Sequence, residues 1–176
     1  MQSRGFTLVE VLVAMLVLCA AALGGMQLVA IATEAMARAR IESLAASLAS
    51  SRMEQLRSLR FEFDDTGLRI TDTTTSLASE PPGPGGPGLT PSGASLDSNV
   101  AGFADFLDGR GEWVGSGTAP PPGAAFVRRW SIDPADSVGD LLVLQVVVRT
   151  VAAGSPGAGR ARGEARYVSL LARTRR

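Results

Sequence analysis

Residues 5–33 read GFTLVEVLVAMLVLCAAALGGMQLVAIAT and contain the longest uncharged stretch of the chain. Between Glu10 and Glu34 lie 23 residues without a charge. A helix rises about 1.5 Å per residue, so this run spans about 34 Å, which is enough for a bilayer core of about 30 Å. The run is also longer than the apolar region of a typical signal peptide. The stretch therefore predicts one membrane-spanning helix, which the pair Gly24-Gly25 weakens near its middle.

The helical pattern continues after charge returns. No proline or glycine occurs from Ala35 to Phe63, and apolar residues recur at spacings of three to five, which indicates one apolar face. We predict one helix from about Thr7 to about Arg60, ended by turn residues 64–67. The predicted apolar face comprises Ile41, Leu44, Leu48, Met53, Leu56, Leu59 and Phe63. The charged residues assigned away from it are Arg38, Arg40, Glu42, Arg52, Glu54, Arg57 and Arg60.

The composition excludes several classes of chemistry. The 176 residues include 17 basic residues, all arginine, against 17 acids, and there is no histidine. The balanced charge argues against a dedicated nucleic-acid binder. Without histidine there is no Ser-His-Asp triad and no histidine metal site. Cys19 is the single cysteine, so no intramolecular disulfide is possible. We expect no enzyme activity, no cofactor and no metal, and we interpret the paired acids 64–65 and 105/108 as a helix stop and surface groups.

The sequence after the predicted helix indicates strands separated by loops. Residues 79–99 and 116–124 are rich in proline, glycine and serine and are predicted to be flexible loops, as is 153–163. Residues 100–114 fit either a short helix or a strand. Three strands are predicted at 126–133, 141–151 and 166–174, which would form an antiparallel meander. Its apolar face needs a cover, and the amphipathic helix segment 35–60 is the obvious candidate.

The first ten residues contain a motif that indicates covalent processing of the chain. A short leader containing Arg4 precedes Gly5-Phe6-Thr7-Leu8-Val9-Glu10, and the apolar helix follows. This combination resembles the type IV prepilin processing site over about residues 1–30. The resemblance implies that a prepilin peptidase cuts between Gly5 and Phe6 and methylates the new amine of Phe6. A residue with little bulk suits the cut, and Gly5 provides it.

Glu10 has two interpretations. A carboxylate near the head of a membrane helix can sit among the lipid headgroups and favour the positive end of the helix dipole. Alternatively, it pairs with the cationic amine of Phe6, its own or a neighbour's, when helices pack in a filament. Because Gly5 and Phe6 stand in register with Glu10, we favour the pairing interpretation.

The resemblance also implies an organisation and a location. The expected fold is α+β and pilin-like, a long N-terminal helix on a small antiparallel sheet. Its parts are a leader at 1–5, a transmembrane and assembly helix at 6–33, its amphipathic half at 34–62 and an outward-facing domain at 63–176. Arg4 favours a cytoplasmic N-terminus in the inner membrane. Expected partners are prepilin peptidase, other major and minor pilins or pseudopilins, and the inner-membrane assembly platform.

Within the family, residues 18–28 and the late strands are most similar to PilV-type minor pilins. Priming or assembly of a type IV pilus-like filament is therefore the expected function. The alternatives are an I-type minor pseudopilin of type II protein secretion and a tip-located pilin for cell adhesion or DNA uptake.

Other features of the chain allow weaker interpretations. A signal-peptidase site at 20–22 and a lipoprotein box at Cys19 are rival interpretations of the N-terminus. Trp113 and Trp130 are expected in the core or at its rim. The basic residues near the C-terminus indicate a solvated edge, or contact with DNA or an acidic neighbour: Arg160, Arg162, Arg166, Arg173, Arg175 and Arg176.

Overall fold

A computed structural model describes residues 7–151 and 163–175. The chain forms two compact units, Met1–Arg40 and Ile41–Arg176. One helix, α1, runs through Leu8–Ser58 and so contributes to both units. All described strands belong to the second unit, where the last part of α1 packs on them. The predicted α+β class, with a long N-terminal helix and small antiparallel sheets, is confirmed.

The described residues form ten strands in three sheets. The five-stranded sheet has the order β6-β5-β7-β8-β9, the three-stranded sheet the order β10-β1-β2, and β3 pairs with β4. All pairings are antiparallel except that of β1 with β10. The strands are β1 Phe61–Phe63, β2 Arg69–Thr71, β3 Thr75–Ser76, β4 Gly83–Pro84, β5 Ala104–Leu107, β6 Trp113–Ser116, β7 Phe126–Pro134, β8 Leu141–Thr150, β9 Ala165–Ala172 and β10 Thr174–Arg175.

The predicted meander forms the centre of the large sheet. Strands β7, β8 and β9 pair in sequence order, and Trp130 stands opposite Val146. Residues 100–114, for which the sequence left helix and strand open, contain β5 and β6. β5 pairs with β7 and thereby extends the meander on its other side.

Helix α1 covers one face of this sheet with its last three turns. Its buried residues are Ala45, Ala49, Arg52, Met53 and Leu56, which recur at helical spacing. They pack with Trp130 and the apolar residues of β7 and β8. Assigning Arg52 to the exposed side of the helix was therefore wrong, because this arginine has no exposed surface.

The helix ends two residues earlier than predicted and by a different device. The amide of Leu59 donates to the carbonyl of Leu56 at 3.3 Å, a tightened last turn. The expected stop at residues 64–67 instead connects β1 and β2. There one Asp64 carboxylate oxygen accepts hydrogen bonds from the amides of Thr66 and Leu68 at 2.9 and 2.7 Å.

A buried carboxylate joins the helix to the sheet. Asp105 on β5 is fully buried and pairs with two arginines, Arg52 of α1 at 2.7 Å and Arg128 of β7 at 2.6 Å. The Arg52 guanidinium also donates to the carbonyl of Leu77 and lies 4.7 Å from the centre of the Trp130 ring. Burial lowers the pKa of Arg52 to about 10, with Asp105 opposing that shift, so Arg52 stays charged at neutral pH. The interpretation of Asp105 as a surface group was therefore wrong.

A third arginine, Arg173, connects the C-terminal segment to the rest of the domain. The Arg173 side chain is 4% exposed and pairs with Asp140 at 2.9 Å. It also donates to the carbonyl of Ile70 at 2.8 Å, and its guanidinium stacks 3.9 Å from the centre of the Phe61 ring. One side chain therefore connects β1, β2 and the loop before β8. The interpretation of Arg173 as part of a solvated basic edge was wrong.

The proline- and glycine-rich segment 79–99 adds to the core, which its composition did not lead us to expect. Leu89 is 1% exposed and Ser95 is fully buried. The Ser95 hydroxyl donates to the carbonyl of Trp130 at 2.7 Å, which ties the segment to β7. The predicted loop 153–163 lies, apart from Gly163, outside the described residues.

The Asp105 cluster generates a stability prediction. Asp105→Asn leaves the guanidinium groups of Arg52 and Arg128 with only the exposed Glu80 carboxylate, 3.7 and 3.5 Å away, as a countercharge. Breaking a buried ion pair costs about 3–5 kcal/mol. We expect the free energy of unfolding to fall by that amount. Chemical denaturation of the full chain in detergent micelles, followed by the fluorescence of buried Trp130, measures it. Asp65→Asn is the matched control at an exposed site, where a change within about 0.5 kcal/mol is expected. Equal effects of the two substitutions would contradict the assigned role.

The Arg173 contact predicts acid sensitivity. Hydrogen bonds from Arg69 and Arg173 lower the pKa of Asp140 in the folded protein. A group with a lowered folded pKa contributes stability above its unfolded pKa of about 3.9, and this contribution disappears as pH falls further. The stability difference between wild type and Asp140→Asn should therefore be constant near neutral pH and shrink below about pH 4. A difference that persists unchanged in acid would count against this role of Asp140.

Candidate processing and assembly site

The first described residue caps the long helix. The carbonyl of Thr7 accepts the first helical hydrogen bond, from the amide of Val11 at 3.3 Å, which places Thr7 at the N-cap. The Thr7 hydroxyl accepts from the amide of Glu10 at 3.3 Å. In return, Glu10 Oε2 accepts from the Thr7 amide at 2.8 Å and from the Thr7 hydroxyl at 2.9 Å. This reciprocal arrangement is a capping box.

The capping box fixes the position of the Glu10 carboxylate. Both hydrogen bonds from Thr7 are made to Oε2, so within the described residues Oε1 is left for a further donor. The sequence analysis identified Glu10 but missed the role of Thr7. The spacing Thr7-x-x-Glu10 ahead of an apolar run is the signal that could have revealed it.

Gly5 and Phe6, the predicted cleavage residues, lie outside the described residues. The cleavage position, methylation of Phe6 and pairing of its amine with Glu10 therefore stay predictions. Cys19 and residues 20–22, which supported the rival signal-sequence interpretations, lie in the interior of α1. Cys19 is exposed on the helix surface.

The apolar half of α1 is uncovered in the described structure. Every residue from 7 to 43 is exposed, and the large apolar side chains Leu8, Leu16 and Leu28 expose 78%, 72% and 69% of their surface. The most apolar stretch of this helix has a mean hydropathy of 2.4, so the helix is long and apolar enough to cross a membrane. A helix that is apolar on all sides requires lipid or other apolar helices around it. These properties support a membrane-anchored protein.

Asp108, which the sequence analysis interpreted as a surface group, accepts hydrogen bonds from the backbone. One carboxylate oxygen of Asp108 accepts from the amides of Arg110 and Glu112 at 2.8 and 2.9 Å. These hydrogen bonds lower the pKa of Asp108. Among the described residues no group of three or more Cys, Asp or Glu side chains is arranged to hold a metal ion.

Comparison with known proteins identifies the N-terminal segment. Residues 1–26 match the family described as "Prokaryotic N-terminal methylation motif". No curated protein and no solved structure matches the chain. The match covers residues 1–4, the Gly5-Phe6 pair, the capping box and α1 as far as Met26. Type IV pilin-like proteins that carry this motif are structural subunits and not enzymes. The methylation motif and the long apolar helix that overlaps it together support a type IV pilin-like protein.

Proposed function

We propose that the protein is a minor pilin, a subunit that prepilin peptidase processes and that takes part in priming or assembling a type IV pilus-like filament. One observation carries the proposal: a capping box holds the Glu10 carboxylate at the head of a helix that is exposed throughout residues 7–43. The methylation motif at residues 1–26 supports processing and association with other pilins. The chain has one cysteine and so lacks the C-terminal disulfide of many major pilins, which favours a minor subunit.

The proposed assembly step follows from the cost of buried charge. Cleavage after Gly5 would place a cationic amine on Phe6, directly before the N-cap residue Thr7. When apolar helices pack together, this amine and the Glu10 carboxylate both leave water, and an unpaired buried charge costs several kcal/mol. Pairing the amine with Glu10 Oε1, within one chain or between neighbours, removes that cost. It would also set the axial register of the subunits.

The proposed topology follows from the leader. Arg4 keeps the N-terminus in the cytoplasm, so the helix crosses the inner membrane once and the domain at 63–176 lies outside. Residues 6–33 would then form the transmembrane and assembly segment, and residues 34–62 the part that leads into the domain. The inner-membrane assembly platform and sibling pilins are the partners for this arrangement.

Processing gives the first test. We expect the mature protein to begin at Phe6 with a methylated amine, as determined by mass spectrometry of membrane-extracted protein. Gly5→Leu should leave the uncut precursor in the membrane, because the cleavage site accepts little bulk at this position. Ser3→Leu adds the same bulk within the leader and should still be cut. A mature start at Cys19 or Leu23 would refute the proposal.

The capping box sharpens the test of Glu10. Glutamine also serves in a capping box, so Glu10→Gln keeps the cap and removes the charge, whereas Glu10→Ala removes both. If pairing with the Phe6 amine drives assembly, both substitutions should reduce association by about a hundredfold or more, since breaking a buried ion pair costs about 3–5 kcal/mol. Both proteins should still insert and be cleaved. Co-purification with sibling pilins at matched membrane levels measures the effect, including for a subunit at the filament tip.

The two substitutions separate the cap from the charge. Normal association of Glu10→Gln with loss in Glu10→Ala would assign Glu10 to helix capping alone. Normal association of both would show that neither role matters for assembly. Thr7→Ser retains the hydroxyl of the cap and is the control that should behave as wild type.

A further inference from the structure

A pocket of about 360 Å³ lies on the face of the five-stranded sheet that points away from α1. Side chains alternate along a strand, so Arg128 and Trp130 of β7 face the helix while Val127 and Arg129 face the pocket. Residues from β5, β7 and β8 form its floor and one wall, and loop residues complete it. The lining residues are Asp97, Asn99, Phe106, Pro120, Val127, Arg129, Arg149, Thr150 and Val151.

Two guanidinium groups are brought together by strand register. Arg129 stands opposite Val147 and Arg149 stands opposite Val127, so the two arginines are diagonal neighbours on one face. Arg149 pairs with Glu164 at 3.2 Å. Its Nε is buried and has no hydrogen-bond acceptor among the described residues.

Arg129 is held in place by neutral groups. Its Nε donates to the Asn99 side-chain oxygen at 2.8 Å, and its Nη1 donates to the carbonyl of Leu96 at 3.1 Å. The Asn99 amide nitrogen in turn donates to the carbonyl of Thr118 at 3.0 Å. The guanidinium is therefore fixed before any ligand arrives, which lowers the entropic cost of binding.

The charge of Arg129 lacks direct compensation in the described structure. Burial and the nearby charge of Arg149 lower the pKa of Arg129, and Asp97 opposes this shift without making an ion pair. The buried arginines elsewhere in the domain each contact a carboxylate: Arg52 and Arg128 share Asp105, and Arg173 pairs with Asp140. Arg129 differs from these arginines, because it is only partly buried and makes no ion pair within the described residues.

Part of the pocket lining is apolar. Phe106 is 1% exposed and Val127 is 7% exposed, and Pro120 lies beside them. A ligand that fits this lining combines one anionic group with an apolar group. Asp97 at the pocket would repel a second negative charge, which favours a monoanion over a phosphate dianion. The volume lies at the low end of small-molecule sites, which span about 300–1,000 Å³.

We propose that this pocket binds a small monocarboxylate, with its carboxylate on Arg129 and Arg149 and its apolar part against Phe106 and Val127. Arginine presents paired N–H donors that match the two oxygens of a carboxylate. The site is independent of the N-terminal processing and assembly segment.

Isothermal titration calorimetry of the full chain in detergent micelles tests the proposal. The probes are N-acetylphenylalanine and N-acetylphenylalaninamide, which share the phenyl ring and differ in the carboxylate. Hydrogen bonds to charged groups contribute about 1.5–3 kcal/mol, so we expect the acid to bind about ten- to a hundredfold more tightly than the amide. Equal affinity for both probes, or binding of neither, would overturn the proposal.

Substitutions then locate the site. Arg149→Gln should weaken binding of the acid about tenfold or more, and Arg149→Lys should retain part of the affinity. Asp97→Asn should strengthen binding of the acid, a change that damage to the fold would not produce. Arg166→Gln on exposed β9 is the control and should bind as wild type. Unchanged binding in Arg149→Gln, or weaker binding in Asp97→Asn, would refute the assignment.

Discussion

The Asp105 carboxylate, shared by Arg52 of the helix and Arg128 of the sheet, is the interaction on which the packing of the domain depends. Its two oxygens receive three hydrogen bonds from the two guanidinium groups, at 2.6, 2.7 and 3.0 Å. A buried ion cluster of this kind is stable only when the pairing geometry is satisfied. Sliding the helix along the sheet would separate Arg52 from Asp105. Apolar contacts between Leu56 and the sheet bury apolar surface, whereas the ion cluster specifies the position of the helix along the sheet.

The sequence contained enough information for the large elements and too little for the small ones. A long uncharged run and a break-free amphipathic run predicted α1. Loose alternation predicted β7, a run rich in β-branched residues predicted β8, and a third strand-like run predicted β9. Strands β1 to β4 have two or three residues each, so no periodicity can develop in them. Their pairing depends on distant contacts such as those of Arg173. Arg52 was misplaced for the same reason, because its burial depends on Asp105, 53 positions further along the chain.

The two sites differ in how far sequence reasoning could reach. Gly5, Phe6 and Glu10 are close neighbours in a motif, so their chemistry could be proposed from the order of residues alone. The capping role of Thr7 was also visible in that order and was overlooked. The proposed carboxylate pocket could not be predicted from the order of residues. Arg129 and Arg149 become neighbours only through the register of β7 and β8, and Asn99 joins them from a loop.

The exclusive use of arginine as the cation has a structural consequence. Arg173 engages Asp140 through Nε, the carbonyl of Ile70 through Nη1 and the hydroxyl of Thr71 through Nη2. A lysine ammonium has three donors on one atom and cannot reach three acceptors that are spread over β2 and the loop before β8. The guanidinium also stacks on Phe61, so its flat faces and its edge are used at once. Small sheets of two or three strands bury little apolar surface. In this domain, buried planar cations with many hydrogen bonds therefore join short strands that hydrophobic packing alone would leave weakly held.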